Sequence, residues 1–342
     1  MKTAGLIYGN DLHYLDHIAP LCSFLNIPFI VTEDEIAALG EKYYPDVTIS
    51  YKDYIEIHPY LVQSFERVIY CFTRHFFDAA FSLQQDLHQK KIKTIWCPHG
   101  NSDKGRDSYF MEALENEETA LVYGNQMIDF MKEKNVLQKL KKYHVIGNFR
   151  YQYYLKHNLF YHSLLFEEIF PKLNMTKLNI FYAPTWNDFE NSGTFLGAFE
   201  SLAEQIPSDF NLIVKLHPNT FQNFNVDAER LINQYEKHPR LLFLKSFPPI
   251  YPLLEYADLF VGDMSSIGYD FLTFNKPMFF LNPNEKKEAF LFQCGVEIKP
   301  HQYPDIYDIM KKELSKKDFF SPIRKKVYSY TFSNKTASWN DI

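Results

Sequence analysis

Residues 257–271 read Ala257-Asp258-Leu259-Phe260-Val261-Gly262-Asp263-Met264-Ser265-Ser266-Ile267-Gly268-Tyr269-Asp270-Phe271. This is the pattern of a short buried strand, a tight polar turn and a helix start. Ser265 or Ser266 suits the N-cap, and the free N–H groups of a first helical turn, backed by the helix dipole, favour an anion above the turn. Phosphate is the natural occupant, so Asp263, Ser265 and Ser266 are candidate phosphate-binding positions. Gly268 allows close approach of a ligand or of neighbouring chain. Asp270, one helical turn past the cap, can accept from the hydroxyls of a ribose. A plain capped helix would account for Asp-x-Ser-Ser taken by itself.

Outward from that stretch the pattern repeats. Leu272-Thr273-Phe274-Asn275-Lys276-Pro277-Met278-Phe279-Phe280-Leu281 is a helix end, a Lys-Pro break and a second buried strand. The polar turn therefore sits at the carboxyl end of the first strand of a strand–helix–strand unit, where open α/β sheets bind ligands. Upstream, residues 178–182 form a strand ending in Ala183-Pro184-Thr185-Trp186, where Thr185 can donate to phosphate and Trp186 serves packing or base stacking. Residues 211–216 form another, delivering Lys215, His217 and Pro218 to the same rim. Residues 241–244 are a further strand, residues 250–256 a short helix, and residues 304–316 a helix.

The first half shows the same alternation, with apolar runs at residues 4–8, 28–31, 47–50, 68–72, 93–97, 120–123 and 144–146. Strands alternating with helix-length segments imply a parallel sheet. The fifth run ends in Trp96-Cys97-Pro98-His99-Gly100-Asn101-Ser102-Asp103-Lys104-Gly105. A histidine at that strand end suits a general base for a hydroxyl, because imidazole titrates near neutrality; hydrogen bonding to its own loop is the plainer alternative. His13 and His17, one helical turn apart, suggest a metal, but without a third ligand nearby they read as surface or interface histidines.

At 342 residues the chain exceeds what one core organises. The division expected is a Rossmann-like domain over 1–150, a linking helix over 151–175, a second domain over 176–318 and a segment over 319–342 that crosses back. Tyr151, Tyr153, Tyr154, Phe160, Tyr161, Phe166 and Phe170 suggest one helix packed between domains, with membrane-surface contact as the second reading. The net charge of −6 argues against a general nucleic-acid binder. The four cysteines form no Cys-x-x-Cys pair and read as reduced cytosolic thiols. The chain opens on a strand without a signal-peptide pattern, and no run approaches the ~20 apolar residues of a membrane span.

Asp263-x-Ser265-Ser266-x-x-x-Asp270-Phe271 followed by Lys276-Pro277, together with Tyr182-Ala183-Pro184-Thr185-Trp186, Lys215-Leu216-His217-Pro218 and His99-Gly100…Lys104, resembles the CDP-glycerol glycerophosphotransferase family of teichoic acid synthesis. The resemblance covers residues 96–281. Asn187 stands where the family usually has Arg, and Asn101-Ser102-Asp103 replaces the usual Thr-Pro-Leu. Gly147-Asn148-Phe149-Arg150 resembles the family's Gly-x-Pro-Arg-x-Asp without its Pro and Asp.

The resemblance implies an α/β protein of GT-B type, with two facing doubly wound Rossmann-like domains. The second would hold a CDP-activated donor through Thr185, Lys215, Asp263, Ser265, Ser266 and Asp270. The first would bring a polymer or lipid-linked acceptor, with Gly100, Lys104 and Arg150 on the acceptor side. His99 and His217 are the implied catalytic residues, and neither metal nor cofactor is required. The setting implied is cytoplasmic, at the inner face of the membrane. The alternative is a GT-B glycosyltransferase using a nucleotide-sugar donor for capsule or lipopolysaccharide. The UDP-sugar 2-epimerases share the plan, but carry glycines after the serine and paired glutamates one turn later. A non-catalytic nucleotide binder would have no use for His99.

Overall fold

Seven of the apolar runs become strands of one sheet: β1 (Thr3–Ile7), β2 (Phe29–Val31), β3 (Ile49–Tyr51), β4 (Arg67–Tyr70), β5 (Lys93–Trp96), β6 (Thr119–Val122) and β7 (Lys142–Val145). Their order is β3-β2-β1-β4-β5-β6-β7, and the neighbours pair in parallel. Parallel strands are covered by helices on both faces, which is why β1 is buried along its whole length. The computed structural model describes residues 1–104, 111–186, 192–222, 226–284, 290–333 and 338–342.

A second sheet holds β8 (Leu178–Ala183), β9 (Phe210–Val214), β10 (Leu241–Phe243), β11 (Leu259–Gly262), β12 (Met278–Leu281) and β13 (Val296–Ile298), in the order β10-β9-β8-β11-β12-β13 and again parallel. In both sheets the winding reverses beside the first strand, between β1 and β4 and between β8 and β11. These are the switch points at which open α/β sheets leave a crevice. β13 was not among the expected strands. It is three residues long, and Gly295 lets it approach β12 so closely that a Cβ there would lie 2.1 Å from the Met278 carbonyl oxygen.

The chain divides into two units, Met1–Asn101 with Gly105–Lys156 and Tyr330–Ile342, and Ser102–Lys104 with His157–Ser329. The aromatic segment expected as one helix is two, Phe149–Lys156 and Asn158–Glu168. His157 leaves helical geometry between them (φ −118°, ψ 25°), and the Asn158 side chain accepts the Leu159 N–H at 2.7 Å. A helix over Ser321–Thr331 carries the chain into the last residues of the first unit. There Thr331 donates to Gln126 at 2.7 Å, Ser333 N donates to the Tyr123 carbonyl at 3.1 Å, and Trp339 stacks on Phe24 at 4.8 Å. Gly124 makes this approach feasible, since a Cβ would meet Thr331 O at 2.5 Å and Ser333 N at 2.8 Å. The four cysteines are free and buried, and among the described residues no helix is long and apolar enough to cross a membrane.

Candidate functional site

In the first unit the loop after β5 carries Pro98-His99-Gly100-Asn101. Tyr123, just past β6, donates its hydroxyl to the Pro98 carbonyl at 3.0 Å and accepts from His17 Nδ1 at 3.0 Å. With the hydroxyl proton committed to Pro98, the ring nitrogen of His17 must be the donor. His17 is thus buried, and not the surface or interface histidine expected from its spacing. Burial, followed by the charges of Arg150, His99 and His13, lowers its pKa well below the usual range.

His99 lies with its ring 5.7 Å from His13 and 5.2 Å from Tyr14, both from the turn after β1. Burial pushes its pKa down to about 4, against a smaller opposing effect of a hydrogen bond with the Cys71 main chain. A main-chain bond that favours the protonated ring is made to a carbonyl. Nδ1 is buried without a hydrogen-bond partner. At neutral pH the ring is an uncharged acceptor. Gly100, at φ +136°, occupies a backbone region that glycine tolerates and other residues do not.

Arg150, expected on the acceptor side, belongs to the first unit. It is buried, and its guanidinium bonds the Asp16 carboxylate, with Nε 3.1 Å from Oδ2 and 3.1 Å from the Asp16 carbonyl. A buried cation needs such a partner, and this one makes Arg150 a clamp between helices Leu15–Leu25 and Phe149–Lys156.

In the second unit the site centres on Asp263, directly after β11. It is 0% exposed, and both of its oxygens already accept: Thr185 N at 2.9 and 3.1 Å, Thr194 N at 3.1 Å and Thr194 Oγ1 at 2.9 Å. Asp263, expected at the donor phosphate, therefore fixes the loops after β8 and before helix Phe195–Glu204. Burial raises its pKa to about 6, opposed first by the Lys104 charge and then by the bonds from Thr185 and Thr194. Thr194 escaped the sequence reading, although a threonine directly before an apolar helical run is a capping signal. Lys104, expected on the acceptor side, groups with this unit, and its Nζ donates to Thr185 Oγ1 at 2.6 Å.

Asp270, expected near a ribose, is likewise turned inward: it is buried and accepts the Tyr251 hydroxyl at 2.9 Å. The close neighbour of Gly268 is Leu291, whose Cδ2 would lie 2.7 Å from an added Cβ. Ser265 is the N-cap residue of the six-residue helix Ser266–Phe271, with φ −73° and ψ 140°, yet its side chain makes no capping bond. Ser266 is half-buried. Lys215 Nζ donates to the Phe247 carbonyl at 2.7 Å. His217 accepts the Asn219 N–H on Nδ1 at 3.1 Å, and its ring lies 6.4 Å from that of Trp186. Lys276 of the Lys-Pro break donates to the carbonyls of Glu255 and, at 2.8 Å, Ala257, neutralising the end of helix Tyr251–Tyr256. Gly105 and Asn187 lie outside the described residues.

Against known proteins, the family described as CDP-Glycerol:Poly(glycerophosphate) glycerophosphotransferase matches residues 103–288. The teichoic acid glycerol-phosphate primase of Bacillus subtilis (strain 168) is 34% identical over 102 residues, 30% of this chain and 24% of that protein. The match thus spans about a quarter of the curated relative's length. Among solved structures, the wall teichoic acid polymerase TagF superposes with a TM-score of 0.67 at 12% identity, covering 99% of this chain and 86% of that one. The S. aureus MnaA–UDP co-structure gives a TM-score of 0.59 at 14% identity over 96% and 92%. The UDP-GlcNAc 2-epimerase of Neisseria meningitidis gives 0.59 at 14% over 98% and 95%. These likenesses put the chain on the GT-B fold. With residues 103–288 of 342 matched, the chain belongs to the CDP-glycerol:poly(glycerophosphate) glycerophosphotransferase family.

Proposed function

We propose that this chain transfers glycerophosphate from CDP-glycerol to a hydroxyl of a cell-surface polymer or its primer. The family match supports the donor and reaction class. The observation that carries the chemistry is the His99 ring, buried, uncharged at neutral pH and without a hydrogen-bond partner on Nδ1. It is suited to take the proton of an attacking alcohol at neutral pH.

In the proposed reaction the acceptor oxygen attacks the phosphorus distal to the cytidine. A new O–P bond forms, the bond to the bridging oxygen breaks, and CMP departs with the electron pair while the acceptor proton passes to the uncharged His99 ring. Charge that grows on the bridging oxygen needs fixed positive groups. Lys215, His217, Ser265, Ser266 and Thr185 are the proposed donor-side set, with Asp263 and Lys104 holding Thr185 in place. Asp270, Asp263 and Arg150 are given no ligand contact.

A cytoplasmic setting with contact at the inner membrane face fits a nucleotide-activated donor. Leu159, 78% exposed, and Phe166, 65% exposed, on helix Asn158–Glu168 support such contact. The test is the spent nucleotide: incubation with CDP-glycerol and a glycerol-phosphate primer should release CMP and leave phosphorus in the product. Release of a nucleoside diphosphate from a nucleotide sugar, with a phosphorus-free product, would replace this reading with glycosyl transfer.

A further inference from the structure

The segment Ser102-Asp103-Lys104 groups with the second unit and is fastened to it at two points. Within the segment the Ser102 hydroxyl accepts the Lys104 N–H at 3.0 Å, which shapes the turn. Asp103 accepts the Leu291 N–H at 3.0 Å, and Leu291 packs over Gly268 of helix Ser266–Phe271, where an added Cβ would lie 2.7 Å from Leu291 Cδ2. Lys104 Nζ reaches Thr185 Oγ1 at 2.6 Å. Thr185 follows β8 and the Gly268 helix follows β11, so the segment is tied on both sides of this sheet's switch point. A lysine is thereby held where an open α/β sheet takes its ligand.

The Thr185 hydroxyl shows what kind of ligand that is. An ammonium only donates, so Oγ1 accepts in the bond from Lys104 and its own hydrogen must point elsewhere. Thr185 is 7% exposed, and among the described residues none accepts that hydrogen. A buried hydroxyl that donates to nothing is uncommon in a folded protein and asks for an acceptor from outside it. Asp263 holds the Thr185 main chain and Lys104 holds its side chain, so this donor is set before a ligand arrives. Two donors 2.6 Å apart, one of them charged, match an oxygen that only accepts and carries negative charge.

We infer that Lys104 is a direct ligand of the donor's diphosphate, its ammonium and the Thr185 hydroxyl donating together to a phosphate oxygen. Lys104 is then a catalytic residue of the donor site, a fixed cation that meets the charge growing on the leaving phosphate. Its part in turnover rests on the glycerophosphotransferase reading. The diphosphate contact itself does not, since it involves neither the base nor the transferred group.

Calorimetry of the full chain with CDP, inorganic pyrophosphate and cytidine tests the contact. Lys104→Met should weaken CDP and pyrophosphate about 10- to 100-fold, the range for a hydrogen bond to a charged group, and leave cytidine within about twofold. Lys104→Arg, which keeps the charge, should recover part of the loss. A lysine that acts only by holding Thr185 would give the same first result, so a double-mutant cycle decides between the two. Thr185→Val removes the hydroxyl that Lys104 holds, and in that background Lys104→Met should still weaken CDP at least about fivefold. In steady-state kinetics with CDP-glycerol, Lys104→Met should lower kcat and raise the donor KM, while the acceptor KM moves less than about twofold.

Wild-type protein that binds neither CDP nor pyrophosphate, equal CDP affinity in wild type and Lys104→Met, or a Lys104→Met effect that vanishes in Thr185→Val would each overturn the contact. So would a change confined to the acceptor KM. Wild-type protein that turns over no CDP-glycerol but binds pyrophosphate in a Lys104-dependent way would refute the reaction while supporting the diphosphate contact.

Discussion

The neutral state of His99 at mildly acid pH is the most exposed consequence of its environment. An ordinary imidazole titrates near 6.5, whereas burial brings His99 to about 4. At pH 5 the ordinary ring would be about 97% protonated, and His99 only about 9%. Between those values the unfolded chain binds a proton that the folded chain refuses, so stability falls as pH drops from about 6.5 to about 4. The full displacement is worth about 3 kcal/mol, of which about 2 kcal/mol is lost by pH 5. His99→Gln keeps a polar, uncharged side chain and should lose that part of the pH dependence, while burial and Arg150, the larger effects on His17, act in both proteins. The direct assay is a histidine ¹³C NMR titration from pH 7.5 to 4.5, with His99 identified by its absence in the variant. Urea midpoints at pH 7.5 and 5 provide the matching stability measurement. A His99 midpoint at or above 6.5, or equal losses of stability in wild type and variant, would refute the reading of His99 as a buried ring that stays uncharged.

Four other outcomes are expected. Glu117, buried in the first unit and accepting from Tyr70 at 2.7 Å and Thr94 at 3.0 Å, has its pKa raised to about 7, chiefly by burial. Its protonated form is favoured on folding, so Glu117→Gln should stabilise at pH 8, with the advantage fading as pH falls through 7 towards 4.5 in thermal unfolding scans. Asp263→Ala should cost roughly 3 kcal/mol or more, because it strands the buried N–H groups of Thr185 and Thr194; unchanged hydrogen exchange at those amides would contradict this. Ser265→Asp places a negative charge at the helix start and should weaken nucleotide binding at least about tenfold by calorimetry. Gly124→Ala drives a methyl into the backbone of Thr331 and Ser333, and limited proteolysis should then cut the last residues much faster.

The sheets were legible because parallel strands buried on both faces leave uninterrupted apolar runs. β8 and β11 could be placed from Leu178-Asn179-Ile180-Phe181-Tyr182 and Leu259-Phe260-Val261 almost to the residue. β13 was not, because three residues that include Glu297 carry too little periodicity to separate a strand from a loop. The break at His157 was hidden by an aromatic series continuing on both sides of it. What the sequence could not convey was side-chain direction at the strand ends. Asp263, Asp270 and Arg150 were placed at the right positions in the chain, yet each turns inward to a protein partner.

That inward turn has a physical logic in a site proposed for a diphosphate. An aspartate facing the ligand from the β11 turn would set a carboxylate against phosphate charge. Turned inward, the same carboxylate binds the main chain on both sides of the loop after β8 and holds Thr185 against Lys104. Its charge is partly balanced by Lys104, which is the largest of the effects opposing the rise in its pKa. The Ser265 hydroxyl is spared from capping, and Asp270 from solvent, by the same economy: the acids brace the turn from beneath and the uncharged and basic groups are left to meet an anion. Neutralising Asp263 should therefore lower donor affinity, although removing a negative charge from an anion site would by simple electrostatics raise it. Donor binding to Asp263→Asn that is tighter than to the wild type would show that the carboxylate's field, and not its bracing of Thr185, dominates at this turn.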